Sequence, residues 1–294
     1  MNCKPSASAR LSLILSMCIF GTIGLVRKYI DLPSSIIALA RALIGTLFLA
    51  CLLLIRRQKP DWAAIRKNVL PLLISGAMLG FNWILLFEAY CHTSVATATL
   101  CYYMAPILMI LVSPIFFRER LTPKKLLCVV VALIGMVLVS GVLQTGIRSI
   151  SELKGIFLGL GAAVLYTGVV LVNKKMGPIA ALDRTILQLA ISGIILLPYT
   201  ALTEDWSAIS PGFGEIALLL VAGIIHTGIA YALYFGSIHK LPAHTVALYS
   251  YIDPILAILL SALFLREPLT LPGIIGAILI LGAAFFSERC QKDK

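Results

Sequence analysis

Charged residues are scarce in this sequence. They make up 13% of its 294 residues, whereas hydrophobic residues make up 60%, and the mean hydropathy is +1.00. Soluble domains carry about 25% charged residues, so this composition excludes an ordinary soluble fold. The polar segments 144–154 and 204–214 are too short to form a soluble domain of their own. The composition is typical of an integral membrane protein.

Several chemical motifs are also missing. There is no GxxxxGK[ST] loop, which excludes ATP hydrolysis within this chain. None of the seven cysteines forms a CxxC pair, which argues against a structural zinc site or a disulfide framework. We therefore interpret the cysteines as small apolar packing residues. We predict no metal, no cofactor and no enzymatic activity.

Ten stretches with few or no charges run through the sequence, and most hold enough residues to cross a bilayer of roughly 30 Å as a helix. Backbone groups in lipid must bond within their own segment, so helices are favoured over strands. We predict an all-α integral membrane protein with ten transmembrane helices, the first of them not a cleaved signal peptide. The stretches are 11–26, 32–55, 68–87, 89–117, 126–147, 155–173, 185–203, 216–239, 241–265 and 268–287.

Basic residues outnumber acidic ones by 24 to 13. We predict no nucleic-acid partner, because in a membrane protein this excess orients the helices, with Lys and Arg concentrated in cytoplasmic loops. The basic residues gather in alternate connections, most densely at Arg56, Arg57, Lys59, Arg66 and Lys67. Their distribution predicts a bacterial-type cytoplasmic membrane protein with both termini in the cytoplasm.

The sequence contains an internal repeat. Residues 103–122 read YMAPILMILVSPIFFRERLT and residues 251–270 read YIDPILAILLSALFLREPLT, matching at a constant shift of about half the chain. The predicted repeats are 11–143, with helices one to five, and 155–288, with helices six to ten. An odd number of helices in each repeat reverses the second copy in the membrane, and such inverted repeats place a substrate site where the copies meet.

These residues resemble a known family. In each copy a proline is followed by an apolar run and then Arg-Glu-x-Leu-Thr, at 106–122 and 254–270. Together with LIGMVLVSG at 133–141, IIGAILILGAAFF at 274–286, and Ala38 to Arg41 with Gly45, this pattern is similar to the EamA repeats of the drug/metabolite transporter superfamily. The resemblance implies a ten-helix transporter that exports amino acids or other metabolites, or takes them up.

Ionisable side chains inside a predicted span cost about 2.5 to 3.5 kcal/mol each and call for a partner, a wet cavity or a function. Arg41 lies near the middle of the second span, where it either binds a substrate carboxylate or serves as a structural charge. Asp253 precedes Pro254 and is either a cavity-facing proton site or ammonium binder, or the partner of a local salt bridge. Asp253 has no acidic twin in the first copy, where Ala105 takes its place.

Aromatic and polar side chains at helical spacing predict the wall of a wet cavity. Thr245, Tyr249 and Asp253 form one stripe; Thr227, Tyr231 and Tyr234 form another, beside His226. The alternative is that aromatic residues mark the membrane interface, which suits Trp62 and Trp206 better than Trp83. The predicted substrate-binding residues are Arg41, Asn82, Trp83, Tyr102, Tyr166, His226, Tyr231, Tyr249 and Asp253.

Four further residues are candidates for movement or gating. Glu88 and His92 stand four positions apart, so they can pair across one helical turn as an outer gate or in proton coupling. Pro106 and Pro254 remove a backbone N–H each and are predicted to kink their helices.

We predict a secondary transporter that exports amino acids across the cytoplasmic membrane by alternating access. Its expected partners are a small-molecule substrate, membrane lipids and, if transport is coupled, a proton or another ion. One alternative is a carrier of the same fold for sugars or nucleotide-sugars, which would need several basic residues in its cavity. Another is an intramembrane enzyme acting on lipid-linked substrates, which would need clustered carboxylates or a nucleophile.

Overall fold

A computed structural model gives the fold of the protein and describes residues 7–117, 122–139, 150–238, 240–241, 246 and 249–290. Every regular element among these residues is a helix. Thr245 of the predicted polar stripe lies outside the described residues. So do 118–121 in the repeated motif and 140–143 at the end of the predicted first repeat.

The helices are numbered along the chain. In the described part of the first half they are α1 (Ala7–Gly21), α2 (Ile23–Lys28), α3 (Ser34–Ile55), α4 (Trp62–Lys67), α5 (Val69–His92), α6 (Val95–Tyr102), α7 (Ala105–Phe117) and α8 (Pro123–Val139). In the second half they are α9 (Ile150–Lys175), α10 (Ala181–Thr203), α11 (Phe213–Leu220), a π-helix (Val221–Ile229), α12 (Ala230–Ile238), α13 (Ile252–Phe264) and α14 (Leu271–Cys290).

Seven helical segments of the described chain are long and apolar enough to cross a membrane. They are Ala7–Lys28, Ser34–Ile55, Val69–His92, Val95–Val112, Ile150–Lys175, Ala181–Thr203 and Phe213–Ser237. Three further apolar helices are shorter, namely Leu126–Val139, Ile252–Phe264 and Leu271–Phe286. The prediction of an all-helical integral membrane protein is confirmed, although the apolar segments are less uniform in length than the sequence suggested.

Helical hydrogen bonding is interrupted where the sequence predicted kinks. The α6 helix ends at Tyr102 and α7 begins at Ala105, so Pro106 lies in the first turn of a new helix. Pro254 likewise lies in the first turn of α13, which begins at Ile252. A proline in a first turn costs no helical hydrogen bond. The interruption therefore precedes each proline instead of bending a continuous helix at it.

The most extensive helix packing joins the first half of the chain to the second. The α5 helix packs against α9 and α10, α3 against α10 and the π-helix, α1 against α12 and α13, and α8 against α14. Glycine permits the close approach of α3 to the π-helix, because a Cβ added at Gly45 would lie 2.9 Å from Thr227 Cβ. Arg41 is one turn before Gly45, so this contact brings Thr227 to Arg41.

Candidate functional site

Arg41 is buried at the contact between the two halves, with 5% of its surface exposed. Its Nε donates to Thr227 Oγ1 on the π-helix at 2.8 Å. The Thr227 hydroxyl in turn donates to the carbonyl of Ala222, five residues earlier, which is the spacing of a π-helix. Arg41 donates to no other described residue, so its two terminal nitrogens are left for another acceptor.

Aromatic side chains on one face of α5 lie close to this guanidinium. Arg41 Cζ lies 4.2 Å from the ring centroid of Trp83 and 5.7 Å from that of Phe87. Trp83, Phe87 and Tyr90 stand at positions i, i+4 and i+7, which places them on one side of the helix. A cation over an aromatic face is stabilised by the negative potential of the ring. Phe87 and Tyr90 were not among the predicted site residues, although their spacing from Trp83 could have indicated them.

Asp253 is the second charge of the site. The Tyr103 hydroxyl donates to its Oδ2 at 2.9 Å, and no described residue donates to Oδ1. Close packing of α1 fixes the backbone here, because a Cβ added at Gly21 would lie 2.7 Å from the Asp253 carbonyl oxygen. The carboxylate is thus held by one neutral hydrogen bond and keeps an oxygen for a further partner.

Arg41 and Asp253 interact electrostatically but are not an ion pair. The two charges are within range of an electrostatic interaction, but in the described chain their charged atoms make no contact within 4.0 Å. The predicted alternative for Asp253, a local salt bridge, finds no basic partner in the described residues. We name Arg41, Trp83, Tyr103, Thr227 and Asp253 the central polar cluster.

Tyrosines from both halves line this cluster. Tyr102 packs against Tyr103 and Tyr166, with ring centroids 6.2 and 5.4 Å apart. Tyr231 packs against Phe20 at 5.4 Å and is within electrostatic range of Arg41. Tyr102 and Tyr231 are partly exposed and Tyr166 is 38% exposed, and their hydroxyls have no hydrogen-bond partner among the described residues. They are available to a polar ligand.

Three other predicted site residues make hydrogen bonds or packing contacts with neighbouring helices. The Asn82 amide is fully buried and donates to the Ala162 carbonyl at 2.6 Å, while its Oδ1 has no partner. Both ring nitrogens of His226 are engaged, at 2.8 Å from Thr22 Oγ1 and 3.3 Å from the Val221 carbonyl oxygen. Tyr249 packs with Tyr234 against the α1 helix. In this conformation these three side chains stabilise the packing of the helices around the central polar cluster.

A chain of hydrogen bonds joins α2, α3, α5 and α9 at one end of the site. Arg27 Nη2 donates to Ser34 Oγ at 3.1 Å, and the Ser34 hydroxyl donates to Glu88 Oε2 at 2.8 Å. Glu88 Oε1 lies 3.2 Å from His92 Nε2, so the pair predicted from their spacing is formed. His92 Nδ1 is 3.0 Å from Ser151 Oγ. These hydrogen bonds connect the first half of the protein to the start of α9.

Two hollows open beside this hydrogen-bonded end. One, of about 440 Å³, is lined by Asp31, Glu204, Asp205 and Glu215 together with small and apolar residues. Hydrogen bonds from the Ser207 hydroxyl and N–H lower the pKa of the exposed Asp205 below its usual value. The other hollow, of about 380 Å³, is bordered by 27–32, Tyr90 and Cys91. The larger opening is therefore acidic.

The family of the chain is decided by comparison with known proteins. The EamA-like transporter family matches residues 7–141 and 153–288, which together span nearly the whole sequence. The chain belongs to the EamA-like transporter family. It is accordingly a membrane transporter of the drug/metabolite transporter superfamily, as the resemblance of its repeats predicted, and family membership fits a protein without enzymatic activity.

Named relatives of this EamA-like transporter agree with that assignment. It is 32% identical over 270 residues to the "uncharacterized transporter YxxF" of Bacillus subtilis, an alignment covering 90% of this chain and 84% of the relative. It is 26% identical over 271 residues to the protein RarD of Escherichia coli K12, covering 88% and 87%. A solved crystal structure matches with a TM-score of 0.67 at 20% identity, covering 96% of this chain and 98% of the other. That match shows the fold.

Proposed function

We propose that this transporter exports amino acids across the cytoplasmic membrane by alternating access, with Arg41 binding the carboxylate and Asp253 the ammonium group. The single observation that carries the proposal is the arrangement of these two charges. Both are held by hydrogen bonds to neutral side chains, both keep atoms for a further partner, and they are not paired with each other. A zwitterion supplies the complementary charges.

The chemistry of the wall supports a small polar substrate. The two terminal nitrogens of a guanidinium match the two oxygens of a carboxylate. The hydroxyls of Tyr102, Tyr166 and Tyr231 offer further donors and acceptors to a polar side chain. A nucleotide-sugar would need several cations for its phosphates, whereas Arg41 is the one cation in the central polar cluster. The proposal therefore favours amino acids over phosphorylated substrates.

Release of radiolabelled amino acids from cells tests this function. Cells expressing the chain are preloaded with each of the twenty amino acids in turn and the rate of release is compared with that of cells expressing Arg41→Gln. We expect at least one amino acid to leave several-fold faster with the natural chain and at the background rate with the variant. Equal rates for all twenty, with the protein present in the membrane, would refute amino-acid export.

We further propose ten membrane spans in two inverted repeats, 11–143 and 155–288, with both termini in the cytoplasm. This arrangement counts the three shorter apolar helices as spans and assigns the basic loop at Lys59 to the cytoplasm. The equivalent connection at Asp205 is acidic and would face outward. Opposite charge on equivalent loops is the pattern expected when one repeat is reversed in the membrane.

Accessibility labelling tests this topology. Lys59→Cys and Asp205→Cys are introduced separately into a form of the protein in which the native cysteines are alanine. A membrane-impermeant maleimide added to intact cells should label the Asp205→Cys protein at once, and the Lys59→Cys protein only after permeabilisation. Labelling of both variants from the same side would rule out the reversed repeat.

In this scheme the hydrogen-bonded chain through Glu88 and His92 is the outer gate. It closes the site on the side of the acidic opening, and its release would free the start of α9 from His92. Asp253 is the group proposed to carry a coupling proton, because a carboxylate held by a single neutral donor can change its charge when the ammonium group leaves.

A further inference from the structure

A short helix with basic residues before it and in its last turn lies between two membrane-spanning helices. The α4 helix, Trp62–Lys67, follows the end of α3 and precedes α5, so it lies at the level where both leave the membrane. Five exposed basic residues belong to this segment, and in the described chain no carboxylate lies within 4.0 Å of their charged atoms. They are Arg56, Arg57, Lys59, Arg66 and Lys67. We name these five and Trp62 the α4 surface.

The α4 helix presents one polar and aromatic side outward. Ile65, with 8% exposed, points into the protein, whereas Trp62 is 62% exposed. Trp62 and Arg66 stand at i and i+4, so the indole and the guanidinium share a face. Tryptophan is enriched at the level of lipid headgroups, where its ring is in the apolar layer and its N–H in the wet one. This face matches a bilayer surface.

The segment is hydrogen-bonded to the second half of the chain. Asp61 caps α4 by accepting the N–H groups of Ala63 and Ala64, and its own N–H donates to Asp183 Oδ2 at 3.3 Å. At the other end, Asn68 Oδ1 accepts the N–H of Gly177 at 2.8 Å. The first bond reaches the first turn of α10, and the second reaches the connection between α9 and α10. Whatever binds the α4 surface therefore acts on the contact between the halves.

Arg57 has an unusual backbone. Its φ is 52°, in the left-handed region where glycine is preferred. The turn is closed by bonds from the Arg57 N–H to the Leu54 carbonyl and from the Gln58 N–H to the Leu53 carbonyl. Glycine would satisfy this turn with less strain, and it would remove one positive charge. Arg57→Gly therefore separates a structural role of this position from a binding role.

We propose that the α4 surface binds the headgroup of an anionic phospholipid and that the bound lipid stabilises the contact between the halves at this face. Lys and Arg clusters directly beside a membrane helix attract anionic headgroups, with a gain of about fivefold in affinity for each basic residue. Arg66 shares a helical face with the Trp62 indole, and Arg56, Arg57, Lys59 and Lys67 extend the same charge along the segment. The proposal concerns a lipid of the surrounding bilayer and is independent of the transported substrate.

Fluorescence of Trp62 tests the proposal. Trp206 is replaced by Phe, and the remaining Trp83, which is 4% exposed, adds a background common to both kinds of vesicle. The full chain with this substitution is reconstituted into phosphatidylcholine vesicles containing 20 mol% of either phosphatidylglycerol or phosphatidylcholine with brominated chains, which quench tryptophan on contact. We expect stronger quenching by the brominated phosphatidylglycerol. Arg66→Gln with Lys67→Gln should lower this preference roughly 25-fold, and Arg57→Gly should lower it without lowering the melting temperature.

The matched control removes two other exposed basic residues, through Arg10→Gln with Lys240→Gln. Both lie outside the α4 surface, and their removal changes the net charge by the same amount. We expect the control to retain the preference for phosphatidylglycerol. Equal quenching by the two brominated lipids would overturn the proposal. An equal loss in the control would also overturn it, because the attraction would then depend on net charge and not on this surface.

Discussion

Arg41→Lys is expected to raise the KM for the exported amino acid at least tenfold. Lysine keeps the positive charge but presents it as a point, whereas the guanidinium uses Nε to bond Thr227 and can still offer two nitrogens to a carboxylate. The substitution also removes the contact of the planar guanidinium with Trp83, whose ring centroid lies 4.2 Å from Arg41 Cζ. A lost charge-assisted hydrogen bond costs about 1.5–3 kcal/mol, which corresponds to roughly 10- to 150-fold.

Uptake into inverted vesicles at graded substrate concentrations measures this change. The control is Arg266→Lys, which alters an exposed arginine outside the central polar cluster and should leave KM unchanged. Melting temperatures of both variants identify any general loss of stability. If Arg41→Lys transports with the KM of the natural chain, Arg41 is a structural charge and does not bind the carboxylate.

Asp253→Asn is expected to have a still larger effect and to reduce transport more than a hundredfold. Asparagine preserves the size of the side chain and its hydrogen bond with Tyr103, but removes the negative charge. In a buried site an ammonium group without a counter-charge keeps the full cost of its lost hydration. If Asp253 also carries the coupling proton, the residual transport of the variant should no longer vary with a pH gradient.

Tyr103→Phe provides the comparison for this experiment. It removes the hydroxyl that donates to Asp253 while the carboxylate keeps its charge, so transport should fall only severalfold. Initial rates for both variants, measured with and without a pH gradient, separate the two roles. If Tyr103→Phe were as damaging as Asp253→Asn, the carboxylate would act mainly by holding Tyr103, and its proposed contact with the ammonium group would be wrong.

The sequence predicted the membrane class and drew attention to two charged residues within its spans. Hydropathy identified the apolar helices because lipid requires each spanning segment to satisfy its own backbone. The cost of charge in a membrane marked Arg41 and Asp253, which the structure places at the contact between the halves. The pairing of Glu88 with His92 followed from their spacing alone, since residues four apart share a helical face.

Local backbone interruptions were harder to predict. The π-helix at Val221–Ile229 and the break between α1 and α2 leave no mark in the hydropathy profile, because the same apolar residues suit either helical geometry. The prolines indicated only the approximate positions of the other two interruptions. Near Pro106 the helix is interrupted at Tyr103 and Met104, three and two residues before the proline. The detailed path of each span therefore came from the structure.

By itself the sequence determined that this chain is helical, lies in a membrane, repeats internally and carries the charged residues Arg41 and Asp253 within its predicted spans. Tertiary structure alone decided that Arg41 bonds Thr227, that Tyr103 holds Asp253, and that the two charges share a site without pairing. The physical reason is that hydropathy records transfer from water to an apolar medium, and lipid and protein interior are nearly equivalent in that respect. Which face of a helix meets another helix depends on close packing between distant residues, such as Gly45 against Thr227.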